Sequence, residues 1–551
     1  MRKFIFLFLS TFSIVLFAQS PNIPLGNNVY DAVLRVQTKN YFQNNHSTSL
    51  PVNNNVVYAL LDSLGNDTSQ LSKTDRYLFS KTQNRSSKKP ILKHFYKYKK
   101  DFYAISKKEF ELYVNPVLYL TRGTEKTISG TNVTYINTRG LEVKGLIGKK
   151  IGFYSFLAEN QMQLPSYVSD KVNMEYGLPG EGYYKWFKDK YRSYDFFTAY
   201  GYFTFNATKH VNIQFGHGKN FIGDGYRSLV LSDYSNNYLF LKSNTKVWKL
   251  NYQTLLAELV SDHIPPSLLA GDVLLDKKYL AIHHLSYNLT KNINFGVFES
   301  VVFGRNDTTK AQHFELNYLN PLIFYRSIEQ AIGSPDNVIM GTNLKINFLK
   351  TASVYTQFVL DDFNFSEFKN NRGYWGNKFG LQLGAKYFDI AGIDNLDALL
   401  EYNRVRPYTY THVNDDANHT HYNQPLAHPL GANFKEIIAG IKYNPFPKLT
   451  ASSKVFIITQ GLDMDSTNYG ANIYLSNNDP TIPANNTSFL QGLKTDILLM
   501  DMTLTYEWKP NIYLDLKVIR RVYENALQPT ETSNHIYLGF RMNVTERKFE
   551  F

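Results

Sequence analysis

From about Glu111 onward, apolar and polar residues change places at every second position. In Phe197-Thr198-Ala199-Tyr200-Gly201-Tyr202-Phe203-Thr204-Phe205 the large rings recur near alternate positions. Asn343 to Phe348, Met500 to Tyr506 and Tyr513 to Val518 alternate cleanly. A period of two puts successive side chains on opposite faces of a strand, so one face meets an apolar phase and the other meets water. Short turn signals at Gly148-Lys149, Asn206-Ala207-Thr208, Thr290-Lys291-Asn292 and Pro445 to Lys448 separate these runs. They alternate with long polar stretches rich in Gly, Asn and Pro, near 161–193, 413–433 and 461–496. Short turns at one end and long loops at the other are the layout of an outer-membrane barrel, where a soluble sandwich gives shorter and more uniform spacing. About eighteen strand candidates fit, and bacterial single-chain barrels favour even numbers. The pattern predicts an all-β fold: a transmembrane antiparallel outer-membrane β-barrel over 111–551.

Before the barrel the period changes. Val57, Leu60, Leu61 and Leu64 stand at helical spacing, with Asn54 or Asn55 able to cap the start and Gly65 placed for the end; Val29, Val33 and Val36 repeat the pattern more weakly. Residues 19–110 therefore read as a small helical and basic linker region on the periplasmic side. Lys88, Lys89, Lys93, Lys97, Lys99, Lys100, Lys107 and Lys108 interleave there with Phe95, Tyr96, Tyr98, Phe102 and Tyr103. A nucleic-acid surface is one reading of such a segment. A solvated linker beside a membrane, with aromatics at its interface, is the reading favoured by export. Export is written in residues 1–18: Arg2 and Lys3 precede an apolar run from Phe4 to Phe17, and Ala18 is a small residue at the cleavage point.

Composition agrees once the period is known. The chain has 551 residues, 15% aromatic and 43% hydrophobic, and a mean hydropathy of −0.33. Aromatic richness excludes an intrinsically disordered chain, and the lack of cysteine excludes a disulfide scaffold. No stretch beyond the leader reaches the roughly 18 apolar residues of a spanning helix. Rings turned outward and polar residues turned inward cancel in the average. The formal charge of +12 is that of a basic exported protein.

Catalytic motifs are missing. There is no nucleophile elbow, no zinc-protease helix and no Walker loop. Gly216-His217-Gly218-Lys219-Asn220 departs from a phosphate loop, because Asn220 stands where Ser or Thr is required. Asp463, Asp465 and Asn468 before Gly470 depart from a calcium loop, and a solvated loop is the plainer reading. His419, His421 and His428 near Asp415 and Asp416 are the one set that a metal could draw together, though histidines in a long polar loop usually do not converge. Asp361 and Asp362 are adjacent, so in a strand they point to opposite faces and cannot flank one glycosidic bond. No enzyme, cofactor or metal site is expected.

Two segments stand out. Phe215 to Asp233 carries four glycines, with Lys219, Tyr226 and Arg227 beside Asp224 and Asp233. Here the chain resembles the Wzi-like capsule-assembly family of outer-membrane barrels, through the run Gly218-Lys219-Asn220-Phe221-Ile222-Gly223-Asp224-Gly225-Tyr226-Arg227-Ser228-Leu229. The second runs from Glu401 to His412 and on through His421 to Asn433. With Phe314 to Asn317 and Pro321 to Arg326, it is most similar to the gliding-motility RemB branch of that family. The last strand, Ile536 to Val544, and the final Phe551 resemble the aromatic signature read by barrel-assembly machinery. The resemblance implies a barrel with helical material outside the membrane, and a role in surface polysaccharide assembly or attachment and in gliding. Its partners would be outer-membrane lipid, an acidic surface polysaccharide, and a surface adhesin or other motility protein, with no nucleic acid. Arg406, Tyr408, Tyr410 and His412 alternate and would line one face of a strand, rings for sugar faces and an arginine fork for carboxylates. With Lys219, Asp224, Tyr226 and Arg227 they are the candidate ligand residues. A receptor barrel for a secreted protein and a diffusive porin are the rival readings.

Overall fold

The computed structural model describes residues 20–40, 46–64, 71–82, 95–98, 100–189, 191–261, 274–304, 314–322, 325–334, 336–464 and 466–551. The leader at 1–18 with cleavage near Ala18, and Gly65, Lys88, Lys89, Lys93, Lys99 and Asp465, lie outside them.

The period-two segments form eighteen strands. They are β1 (Phe110–Thr127), β2 (Gly130–Ile147), β3 (Ile151–Gln163), β4 (Ser193–Asn206), β5 (Val211–Gly218), β6 (Tyr238–Val247), β7 (Leu250–Val260), β8 (Lys277–Asn288) and β9 (Ile293–Gly304), then β10 (Asn337–Phe348), β11 (Ala352–Asp362), β12 (Lys378–Tyr387), β13 (Leu396–Val405), β14 (Phe434–Phe446), β15 (Leu449–Leu462), β16 (Leu493–Lys509), β17 (Ile512–Asn525) and β18 (Glu531–Met542). Each pairs antiparallel with its neighbour, and β18 closes on β1 in a register running from Asn534–Lys126 to Met542–Leu118. Closure removes the sheet edges that a bilayer cannot tolerate. The alternation sorts itself by face. On β17, Leu514, Leu516 and Val518 are exposed on the outer wall while Asp515 and Lys517 are buried in the lumen. The buried charges are paired, Lys517 with Asp501 at 2.8 Å and Arg541 with Asp515 at 2.5 Å, as a water-poor interior requires.

Three helices, α1 (Val29–Asn40), α2 (Asn54–Ser63) and α3 (Lys73–Thr82), pack around Val29, Val33, Val36, Val57 and Leu60 at the short-turn end of the barrel. The α2 cap is Asn53, whose side chain accepts from the Asn55 amide, one residue earlier than the spacing predicts. Arg35, 2% exposed, reaches from α1 to Asp75, Asp389 and Asp397, tying the helices to the turn between β12 and β13. Lys81 on α3 is 2.8 Å from Glu507 on β16. The helical material thus stoppers one mouth.

Three expectations need correction. The basic stretch before residue 110 is no solvated linker throughout: Phe95–Tyr98 and Asp101–Ser106 form a hairpin whose second strand pairs with β1, Tyr103 opposite Val114. Phe95 packs edge-on against Phe102 and Tyr103, with ring centres 5.2 and 5.3 Å away, and such aromatic pairs hold a hairpin together. The polar stretch 413–433 is not a solvated loop. From Ala417 to Asn433 it is largely buried, folded into the other mouth. Leu426, Tyr410, Leu229 and Ile473 from three connections meet Leu255, Leu280, Phe298 and Val359 of the inner wall in one core. Lumen lysines satisfy the loop carbonyls, Lys278 to Asn418 at 2.9 Å and Lys378 to Thr411 at 3.0 Å. Polar composition here matches a polar wall instead of water. Finally, Phe551 does not close a terminal strand. β18 stops at Met542, and the tail 543–551 turns back into the lumen, where Phe551 is buried against Tyr167 and Tyr234.

Candidate functional site

The connection from β5 to β6, residues 219–237, enters the lumen on a glycine path. Gly223 has φ +157°, and a Cβ on Gly225 would lie 2.5 Å from Gln382 Oε1 and 2.6 Å from Glu401 Oε2. That close approach lets Glu401 accept from the backbone amides of Tyr226 (2.6 Å) and Arg227 (3.0 Å). Arg227 places its guanidinium on Glu436 at 3.0 Å and on the Glu550 carbonyl at 2.5 Å. Tyr226 donates to the Glu550 carboxylate and receives from Lys454 at 3.1 Å. Asp224 is held by Lys345 (3.3 Å) and Thr48 (3.1 Å), while its carbonyl accepts from Lys386 at 2.6 Å. Asp224 and Arg227 are buried and Tyr226 half-buried, and each is tied to neighbours inside the lumen. Lys219 stands apart, donating to the carbonyls of Gly180 (2.9 Å) and Asp233 (3.2 Å).

The second candidate set is not a strand face. β13 ends at Val405, and Tyr408 and Tyr410 adopt φ of +64° and +76°, so the chain coils through turns. Alternation in sequence did not become alternation in space, because Pro407 follows Arg406 and cannot extend the ladder. Tyr410 donates to the Leu229 carbonyl at 2.7 Å, its amide meets Asp361 at 2.6 Å, and its ring stacks on His419. Tyr408 donates to Asn468 O at 2.9 Å. Arg406 and His412 are half-buried; Arg406 lies over the Phe379 ring, and Asn414 donates to His412 Nδ1 at 3.2 Å. The two segments that carry the sequence resemblance meet at one carboxylate: Glu436 takes Arg227 from the first and His428, at 2.8 Å, from the second. Both segments build the stopper.

The histidines do not converge. His419 pairs with the Val230 carbonyl at 2.7 Å, and His421 with Asn237 O (3.2 Å) and the Val260 amide (3.0 Å). Burial pushes His419 down to about 4 and His421 to about 3, so both are neutral. Asp463 accepts from the amides of Tyr469 and Asn472, using its carboxylate to fold its own loop.

A group that the spacing gave no reason to single out is exposed at the long-loop mouth. In the β3–β4 connection, Tyr183 is 44% and Tyr191 47% exposed, beside half-buried Trp186 and Phe187. Trp186 and Tyr191 meet edge-on at 4.8 Å, Lys188 lies 5.1 Å over Phe187, and Lys185 lies 6.0 Å from the Tyr183 ring. This ledge offers flat apolar faces next to ammonium groups. The density of rings and lysines in Gly182 to Tyr191 was its available signal. Its base is fixed by the stopper: Lys219 holds Gly180 O, Gln424 holds the Gly180 amide at 2.8 Å, and Arg547 pairs with Glu181 at 2.5 Å.

No family model and no curated protein matches the sequence. Among solved structures the chain is similar to Wzi, an outer-membrane protein involved in group 1 capsule assembly in Escherichia coli and described as a carbohydrate-binding β-barrel. Identity is 13%, with 95% of this chain and 99% of that chain covered and a TM-score of 0.56. Porin-type barrels lie further off. OprD of Pseudomonas aeruginosa shares 10% identity over 78% of this chain and 95% of its own (TM-score 0.39), and OccAB4 of Acinetobacter baumannii 11% over 79% and 98% (TM-score 0.43).

Proposed function

We propose that this protein is an exported outer-membrane barrel that holds surface polysaccharide by binding, without catalysis, and that the ligand is an acidic glycan gripped at the ledge of Tyr183, Lys185, Trp186, Phe187, Lys188 and Tyr191. The observation that carries the reading is that ledge, an exposed row of rings and ammonium groups standing on a stoppered barrel. Rings stack on sugar faces and lysines attract carboxylates. The Wzi-like fold, whose solved relative is a carbohydrate-binding barrel, supports the same class of ligand. In this reading Asp224, Tyr226, Arg227, Tyr408 and Tyr410 hold the stopper, Lys219 fixes the base of the ledge, and Arg406 and His412 are half-buried in the connection after β13. The motility part of the proposal comes from the sequence resemblance to the RemB branch, with a surface adhesin as the further partner.

The test is retention of acidic polysaccharide by the purified barrel. Trp186→Ala with Lys185→Ala is expected to cut retention about tenfold or more, since stacking alone contributes about 1 kcal/mol and the charge adds to it. Arg406→Ala is expected to have a smaller effect. Undiminished retention by the double variant would remove the ledge from the proposal. Deletion of the gene, with capsule retention and surface spreading assayed side by side, separates the polysaccharide role from motility.

A further inference from the structure

Half-way up β8 and β9, the outer wall carries a histidine and a glutamate where a lipid-facing strand favours apolar residues. Along β8, Lys278, Leu280, Ile282 and His284 face the lumen, so Tyr279, Ala281 and His283 face outward; along β9 the outward set is Glu299, Val301 and Phe303. His283 and Glu299 are directly opposite each other across the two strands, half-way along them. Both are buried, at 0% and 5% exposure.

What buries them is the connection from β9 to β10. Its described parts, 314–322 and 325–334 with α4 (Tyr325–Ile332), lie against the outside of the barrel. Tyr318 and Tyr325 are fully buried there on Tyr279, Val301, Phe303 and Val338, all outward positions. The Tyr325 hydroxyl is 3.0 Å from His283 Nε2, with the rings stacked at 4.3 Å. The Glu299 carboxylate takes the first amides of α4, Tyr325 at 2.6 Å and Arg326 at 2.8 Å. Lower on the wall, Tyr252 donates to Pro321 O at 2.6 Å. A carboxylate facing hydrocarbon is costly, and this one is relieved by the helix that covers it. Away from the barrel the stretch 316–322 turns out Leu316, Leu319 and Leu322, 71%, 49% and 62% exposed, with Asn317 among them, whereas the helix exposes Arg326, Ser327 and Gln330.

We propose that residues 314–322 form a strap embedded in the bilayer beside the barrel, held next to α4 (Tyr325–Ile332), which the His283–Glu299 pair latches, with Leu316, Leu319 and Leu322 in contact with lipid acyl chains. The occupant follows from continuity. The strap is seated on the same outward faces that elsewhere present Leu239, Leu241, Phe295 and Met340 to the bilayer, and what covers those residues reaches the strap's leucines. The strands beneath it run 11 or 12 residues in β7 to β10, against 18 in β1 and β2, and the strap adds apolar surface beside them.

The chain has no cysteine, so single labels are clean. Leu319→Cys and Leu322→Cys, each carrying an environment-sensitive fluorophore, are reconstituted as full-length protein in phosphatidylcholine vesicles with and without brominated acyl chains. Both labels are expected to lose intensity in brominated vesicles as much as Leu241→Cys on the bare wall, while Met174→Cys, 74% exposed in the β3–β4 connection, does not. Quenching of 319 and 322 by aqueous iodide but not by brominated lipid would overturn the proposal. So would disulfide crosslinking of Leu319→Cys between two copies with loss of the lipid effect, which would make this face a dimer contact.

Discussion

Gly225 is where the backbone comes closest to the acids that anchor the stopper. Gly225→Ala drives a methyl into Glu401 and Gln382, and the expected cost is about 1–3 kcal/mol, seen as a lower unfolding temperature by heat-modified electrophoretic mobility. Tyr410→Phe is milder in volume but leaves the buried Leu229 carbonyl without its donor, at about 1–2 kcal/mol by the same measurement. A larger effect of Tyr410→Phe on glycan retention than on stability would return that tyrosine to the ligand site. The rings and cations in these two segments drew attention because binding sites and packed polar cores use the same residue types. Burial separates the two uses, and burial cannot be read along one segment. Glu436, which receives both Arg227 and His428, is an unremarked acid in an alternating strand until its partners arrive from 209 and 8 residues away.

Among the elements, the 413–433 connection is sensitive to acid through its buried histidines. Unfolded, His419 and His421 take up protons as pH falls through about 6.5; folded, they resist until about 4 and about 3. Over that interval the unfolded loop binds more protons, so its stability is complete above pH 6.5 and is lost progressively towards pH 4, by at most about 1.4 kcal/mol per pH unit for each histidine. Limited proteolysis is expected to cut within 413–433 faster at pH 5 than at pH 7.5, while the barrel strands stay intact; equal rates would mean the histidines are exposed. The strands themselves were legible because each needs only its own alternation. The hairpin at Phe95–Ser106 was hidden by its lysines, which raised the local charge above what a strand usually carries, although its rings were already in place for cross-strand packing.

For the molecule as a whole, both mouths are filled. The N-terminal helices pack at one end, three long connections share a core at the other, and the tail 543–551 runs between them through Glu546–Lys517, Arg547–Glu181 and Glu550–Lys454. Planar-bilayer recordings are therefore expected to show almost no steady conductance, in contrast to a porin. Removing residues 543–551 takes three acid–base ties and Phe551 out of the lumen and is expected to produce flickering current. Large, stable channels from the intact chain would contradict the filled lumen.

The boundary between chain and fold runs along these lines. Alternation and turn length were sufficient for strands, for a closed barrel and nearly for its strand number, because each is a local property repeated many times. Where the polar connections go depends on the wall they meet. A stretch rich in Asn, His and Gly is solvated if it faces water and buried if lumen lysines and glutamates take its amides and carbonyls, and its sequence is the same in either case. The same holds for His283 and Glu299, ordinary in a lumen and costly on a lipid face, whose setting became visible only with a helix folded over them from outside.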